Sequence, residues 1–424
     1  MMFKALLRRN FALLWGGQFI SGIGDWALMI ALPFYVYQLT GSALQTGAMF
    51  IVETLPRILF GSLVGVFVDR WDRRRTMIIS DFMRAGVLLF LLLVHSSSLL
   101  WLVYIVAGTQ ASIALFFNPA YSAITPLLVE KQQLTAANSL EAFSDATTRF
   151  IGPPLGGILL GLLGLQSVVI GDSVSFLVSS LMIFLISMPE SQGSEEGVKA
   201  DTSSGVVLLW KKIWQEWVEG LDLVRRDKAV SAVFLIMSVL MVAQGIINIV
   251  LLIFVHNVLH GNASIYGLLI TTQGIGTLIG SLLVESANKF LRPAYLSVLT
   301  LGIAGIAFLL FINFPSLLSG IVLIPIMGFF AIIFFVTAQT LLQKSVSDTH
   351  RGRIFGSFGT TISLSMVVGM GLVSIAGDLL GPIWLLNGAG FLIISGGVIA
   401  LFTLAGSSTR IVPPLAVEEH NNSN

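Results

Sequence analysis

The chain contains no cysteine, and only 11% of its 424 residues are charged. The first absence excludes disulfides, a thiolate metal site and a cysteine nucleophile, and it leaves the redox compartment unread. The second excludes an ordinary wetted surface, because soluble globular domains carry about a quarter charged residues. What fills the chain instead is apolar: 55% of the residues are hydrophobic, the mean hydropathy is +0.91, and long uncharged runs recur. Runs of about 18 or more apolar residues read as membrane spans. A soluble enzyme, a nucleic-acid binder and a disordered chain are thereby ruled out. A net charge of +1 says little; the placement of the charges says more.

The runs predict spans over 11–37, 44–68, 76–94, 99–127, 137–163 and 167–187, and over 229–255, 264–285, 292–313, 317–343, 354–378 and 382–405. The first run follows Lys4, Arg8 and Arg9 as a signal peptide's would, but its length suits a retained span. Twelve spans place both termini on one side. All but three of the 23 Lys and Arg fall in the tails or in loops on that side, while the loops near 40, 96, 165, 258, 315 and 380 have none. The exceptions, Arg57, Arg84 and Arg149, lie within spans. The positive-inside bias then puts both termini in the cytoplasm and the chain, multi-pass, in the cell's inner membrane.

The expected organisation is a six-helix bundle over 1–187, a cytoplasmic linker over 188–228, a second six-helix bundle over 229–405 and a disordered cytoplasmic tail over 406–424. From Glu190 to Gly205 the linker is rich in Ser, Gly and acidic residues and reads as flexible. Beyond it Val206, Trp210, Ile213, Trp214, Trp217, Leu221 and Val224 recur at helical spacing between charged residues, an amphipathic helix suited to the inner leaflet. The halves also repeat weakly. Leu39, Gly41 and Gly47 align with Leu259, Gly261 and Gly267 at an offset of 220, and Gly152, Leu155 and Gly164 with Gly369, Leu372 and Gly381 at 217. Two parallel six-span repeats with a substrate site between them are a common transporter plan.

After the second span comes Gly65-Val-Phe-Val-Asp69-Arg70-Trp-Asp72-Arg73-Arg74-Arg75. This resembles the G-x-x-x-D-R-x-G-R-[RK] signature of the major facilitator superfamily: Gly65, Asp69, Arg70, Arg73 and Arg74 match, and Asp72 replaces the second glycine. With Leu55-Pro56 before it, the departure is similar to the branch holding macrolide-efflux proteins and the enterobactin exporter. The resemblance implies the major facilitator fold, an all-α membrane protein of twelve helices in two bundles. It also implies that Asp69 caps the start of span eleven, near Arg351-Gly352-Arg353, in one conformation only, where a carboxylate meets a helix's positive end. Gly61 and Gly65 share a face on which span two can approach a partner helix. In span five, Gly152-Pro153-Pro154-Leu155-Gly156-Gly157 resembles the family's G-P-x-x-G-G element, associated with exporters that exchange substrate for protons. The family's span-four arginine is absent; Trp101–Thr125 holds only Gln110 and Asn118 as larger polar residues.

Charges inside spans are functional candidates by default, since an ionised group at mid-bilayer costs about 2.5–3.5 kcal/mol. Glu53 and Arg57 stand at i,i+4 in span two, and so do Asp145 and Arg149 in span five, so each pair can meet on one helix face. Asp81 and Arg84, at i,i+3, can do likewise. Asp25 has no basic neighbour in sequence, which makes it the first candidate to load a proton on one side and release it on the other. Glu53 and Asp145 are further coupling candidates, with Arg57 and Arg149 as charge partners. The second half has no mid-span carboxylate, only milder groups such as Gln244, Asn248, Gln273, Gln339 and Asn387. Ion coupling is therefore expected in the first half and mostly apolar contacts in the second, where Met327, Phe329, Phe330, Phe334, Phe335 and Met366 can form a wall, although core or lipid-facing packing is the stronger reading for each alone. His256 and His260 are expected to be interfacial.

The expected function is secondary active export of small amphipathic molecules by proton antiport and alternating access. The partners are substrate, protons and the bilayer; a proton gradient stands in place of a cofactor, no metal is expected, and the chain is expected to act as a monomer. Siderophore export and lysophospholipid transport are alternatives on the same fold, and a non-transporting receptor or scaffold is an alternative outside it. Enzymatic chemistry is not expected, because no nucleophile arrangement or phosphate-cradling loop stands out.

Overall fold

A computed structural model of the chain describes residues 8–68, 71–130, 133–187, 217–218, 222, 224–225, 227–346 and 351–404. Every regular element among these is helical. The α-helices are α1 (Arg9–Thr40), α2 (Ala43–Val68), α3 (Arg73–Leu89), α4 (Leu100–Leu128), α5 (Leu134–Leu163), α6 (Leu165–Phe184), α7 (Lys228–Asn257), α8 (Ala263–Phe290), α9 (Pro293–Asn313), α10 (Leu317–Ser345), α11 (Arg351–Leu380) and α12 (Pro382–Leu404). Eleven of them, all but α2, are long and apolar enough to cross a membrane. Most run a few residues past the predicted spans, because backbone hydrogen bonding continues into polar caps that hydropathy does not register. Asp227 accepts from the Ala229 and Val230 amides at 2.8 and 3.0 Å to start α7, and Ser316 and Ser319 form a capping box at α10. Prolines inside α1, α2, α4, α5 and α10 leave these helices continuous.

The packing repeats. In the first six helices α1 packs on α5 and α6, α2 on α4, and α3 on α4 and α6; in the last six α7 packs on α11 and α12, α8 on α10, and α9 on α10 and α12. The repeat reaches the turns, where the offset-related Gly164 and Gly381 both adopt left-handed φ, 79° and 75°, which glycine permits without strain. After α7 the left-handed residue is His260 at φ 50°, one position before the glycine aligned with Gly41.

Two helix pairs carry most of the packing between the sets, α5 with α8 and α2 with α11. The polar ties between them cluster at the end of the molecule far from the termini. Asp378, at the end of α11, caps the start of α2, with Oδ1 accepting from the Ala43 amide at 2.8 Å and Oδ2 from Ser42 Oγ at 2.9 Å. Asn257 Nδ2 donates to Tyr37 Oη at 2.7 Å, and Ser264 Oγ to the Gly157 carbonyl at 3.0 Å. His256 stands edge-on to Phe34 and Tyr37, so it belongs to this junction. Among the described residues, the ties at the near end include Arg8 to Glu130 and Asn10 to the Ser187 carbonyl at 2.6 Å, both within the first half.

The expected tail over 406–424 and most of the linker, including Val206, Trp210, Ile213, Trp214 and Leu221, lie outside the described residues. Of the remaining residues in that stretch, Val224 is buried among protein side chains and the Trp217 carbonyl accepts from Ser357 Oγ on α11 at 3.2 Å. Trp217 is thus tied to α11 and Val224 is packed among protein side chains, whereas the rest of the expected amphipathic helix lies outside the described residues.

Candidate functional site

The first six helices enclose a cavity of about 160 Å³ lined by Asp25 and Met29 of α1, Glu53 of α2, Arg84 of α3, Gln110 of α4 and Asp172 of α6, among apolar side chains. Arg84 organises it. Its Nη2 donates to Asp25 Oδ1 at 2.7 Å and its Nε to Gln110 Oε1 at 3.0 Å, while Gln110 Nε2 returns a bond to the Arg84 carbonyl at 2.7 Å. Its guanidinium carbon lies 4.0 Å from the centre of the Phe176 ring, a favourable cation–π placement in a desolvated site. The arginine of this cavity thus comes from α3, and α4 supplies the amide that holds it.

Several expected pairings are corrected. Asp25 is not isolated: it is ion-paired to a helix distant in sequence. Arg84 does not neutralise Asp81, because its side chain leaves α3 toward α1. Asp81 is fully buried, with no hydrogen-bond partner for either carboxylate oxygen. Glu53 with Arg57, and Asp145 with Arg149, form no ion pair; the ion pairs among the described residues are Arg8–Glu130 and Arg84–Asp25. Arg149 lies instead over the Trp26 ring at 4.8 Å, and neither it nor Asp145 lines the cavity. Asp172 is a site residue that the sequence reading passed over, although an Asp inside an uncharged run meets the same rule that singled out Asp25. Ser175 Oγ donates to the Asp172 carbonyl at 2.7 Å and lies 3.1 Å from Oδ1, which shares that proton, and Oδ2 is buried without a partner.

The signature loop divides. Asp69 and Arg70 lie outside the described residues, as does the surrounding of Gly65 in α2. Arg73 donates to the Ala123 carbonyl of α4 at 3.1 Å, and Arg74 to the Ile183 carbonyl at 3.2 Å and to that of Phe184. Both arginines therefore satisfy helix carbonyls within the first six helices. Asp72, where the signature has glycine, caps α3 by accepting from the Arg75 amide at 2.6 Å. Replacing Asp72 with Ala should lower unfolding stability by about 1 kcal/mol, the usual cost of losing a cap, measured in thermal melts of the detergent-solubilised protein. Among the described residues, the atom nearest to a side chain placed at Gly61 belongs to Arg57 on its own helix.

The span-five element is a two-sided wedge. Side chains at Gly152 and Gly156 would run into Trp26 and Ala27 of α1, whereas one at Gly157 would meet the backbone of Ala263 and Ser264 of α8. The Pro153 carbonyl lies against Gly267 of α8 in the same way.

In the last six helices a second cavity, about 220 Å³, is lined by Met237, Met241, Gln244, Gln273, Met327, Phe334 and Phe335, among others. Of the expected apolar wall, Met327, Phe334 and Phe335 line it, and Phe329, Phe330 and Met366 do not. Its lining carries no charged residue.

Comparison with known proteins agrees with this architecture. A family model described as a transmembrane secretion effector matches residues 2–412. Macrolide efflux protein A of Streptococcus pyogenes is 26% identical over 88% of this chain and 90% of its own length. The staphyloferrin A transporter of Staphylococcus aureus is 22% identical over 86% of this chain and 88% of its own length. Among solved structures, a bacterial homologue of the iron transporter ferroportin in an inward-facing state superposes with a TM-score of 0.71 at 16% identity, covering 96% of this chain and all of that one. A family match over almost the whole chain and a long helical fold shared with transporters have one consequence: this chain is a membrane transporter, not an enzyme, and belongs to the transmembrane secretion effector family of the major facilitator superfamily.

Proposed function

We propose that the chain exports small amphipathic molecules in exchange for protons, by alternating access between two six-helix bundles that together span the membrane twelve times. Both termini face the cytoplasm in this reading, the chain works as a monomer in the inner membrane, and the proton gradient supplies the energy. The observation that carries the proposal is the Asp25–Arg84 pair in a cavity shared with Glu53. A carboxylate that faces a cavity and leans on a single arginine can trade that partner for a proton. The charge-free, Met- and Phe-lined cavity of the second bundle supports an apolar, uncharged surface as the cargo's main contact. It also speaks against an anionic chelator as cargo, although a relative is named for a siderophore.

Purified protein in proteoliposomes under an imposed pH gradient, with radiolabelled erythromycin and ethidium as probes, tests the reading. Movement of both probes that ignores the gradient would sink it.

The far-end ties support a conformation closed on that side and open toward the cytoplasm. Replacing Asp378 with Ala removes both hydrogen bonds that hold α11 to the start of α2 and should populate the opposite conformation. Because the chain has no native cysteine, a single Met29→Cys in the cavity reports accessibility. The expected result is at least threefold faster labelling by an impermeant maleimide added outside intact cells when Asp378→Ala is combined with it.

A further inference from the structure

The cavity of the first bundle holds one arginine and more than one carboxylate that could claim it. Asp25 does so here at 2.7 Å. Glu53 lines the same space, but its side chain is exposed. Asp81, on Arg84's own helix, is absent from the lining. Asp172 differs from both. It is 1% exposed, lines the cavity beside Arg84 and leaves Oδ2 without a hydrogen-bond partner. Its helix already supports the guanidinium, since Phe176, one turn along α6 from Asp172, lies under Arg84. On the other side Asp172 Oδ1 and Ser175 Oγ press on α1 at Gly24, next to Asp25, where a side chain would collide with both. Among the described residues, the other elements packed around Arg84 add no further charge: α4 contributes the Gln110 amide, and on α5 Asp145 stays outside the cavity while Arg149 lies on Trp26.

We propose that Asp172 is a positioning residue for proton coupling, the second anion between which Arg84 is exchanged. A proton from the medium binds the Asp25 carboxylate, the Arg84–Asp25 ion pair breaks, and the guanidinium slides over Phe176 to form an ion pair with Asp172. Release of the proton from Asp25 reverses the exchange. Arg84 stays charged throughout, and one proton is carried per exchange, on Asp25. The physical drive is that a buried guanidinium left without an anion is costly. Asp25 can accept a proton readily only when another carboxylate is within the reach of Arg84. Ser175, by holding Asp172 Oδ1, works against the exchange.

This inference rests on the proton-coupled reading above, and its test separates the two. Gradient-driven efflux of ethidium and radiolabelled erythromycin is measured across pH in proteoliposomes for the unmodified protein and for Asp172→Asn, Asp172→Glu and Ser175→Ala. If the unmodified protein ignores the gradient, the coupling reading itself falls. If it responds, Asp172→Asn should lower efflux near neutral pH by about tenfold and recover it in more acid medium, a shift of about one pH unit in the profile. Asp172→Glu should restore the original profile, and Ser175→Ala should move it the other way. An unshifted profile for Asp172→Asn, or an equal loss at every pH, would show a merely structural acid and overturn the inference. Should Asp172→Asn fail to fold, Ser175→Ala decides alone: a shift toward alkaline pH supports the exchange and an unmoved profile overturns it.

Discussion

Replacing Asp25 with Asn should reduce gradient-driven efflux at least tenfold and flatten its pH dependence, while the protein folds and binds substrate almost normally. Two effects compete in this variant. Breaking a buried ion pair by removing one partner commonly costs about 3–5 kcal/mol, which by itself would predict a folding defect. The Asp25 side chain, however, is 42% exposed, against 13% for Arg84. The carboxylate that is removed is therefore the less enclosed partner, and the guanidinium it leaves has a second carboxylate, Asp172, in the same cavity, so the cost should fall below that range. Arg84 also keeps its bond to Gln110 and its place on Phe176 after the change. The melting temperature should consequently move by no more than a few degrees. Coupling has no such cushion, because an amide cannot bind and release the proton. The unmodified protein should transport faster as the far-side medium is acidified, since protons then load Asp25 from that side. The Asp25→Asn protein should not respond. Substrate binding measured without a gradient separates this from a misfolded or substrate-blind protein, and a full gradient response in the variant would exclude Asp25 as the proton carrier.

How far the sequence could be read follows from which interactions are local. Apolar run length fixes where chain can cross lipid, and the basic residues missing from alternate loops fix a consistent traverse; both are properties of continuous segments. The wedge at Gly152–Gly157 was legible as a close approach because small residues beside prolines in a span have few other uses. What was not legible is which helix each residue approaches: Gly156 meets α1 in its own bundle, and Gly157 meets α8 in the other. The same limit misassigned the charges. Spacing at i,i+3 or i,i+4 puts Asp81 near Arg84, and Glu53 near Arg57, but it cannot show that a long arginine side chain finds a better anion across the bundle. Arg84 reaches Asp25, 59 positions away, and no local pattern encodes that. Asp72 is the converse case. A departure from the family signature, it caps the helix that follows it, which the residue type alone predicts.

The adjacent glycines of span five give the sharpest separation between fold and cycle. Gly156→Val places a branched side chain against the Ala27 backbone of α1 within the first bundle. Neither helix backbone can yield as a flexible side-chain tip would, so the expected overpacking cost lies at or above the usual range of about 1–3 kcal/mol. The variant should express poorly and melt early. Gly157→Val faces Ala263 and Ser264 of α8. In the proposed cycle that contact is made only while the far end is closed, and it lies outside the packing of the first bundle. This variant should melt close to the unmodified protein yet transport at least tenfold more slowly, because the helices cannot meet at the crossing that seals the far side. The Met29→Cys reporter should then label readily from outside in the Gly157→Val background. Equal melting temperatures with unchanged labelling would mean that α5 and α8 merely pack together, and that the seal lies in the Asp378 cap instead. Both crossings depend on small residues, Gly157 and Gly267 between α5 and α8 and Gly47 and Gly377 between α2 and α11, and the α2–α11 pair is held in addition by the Asp378 carboxylate at its end.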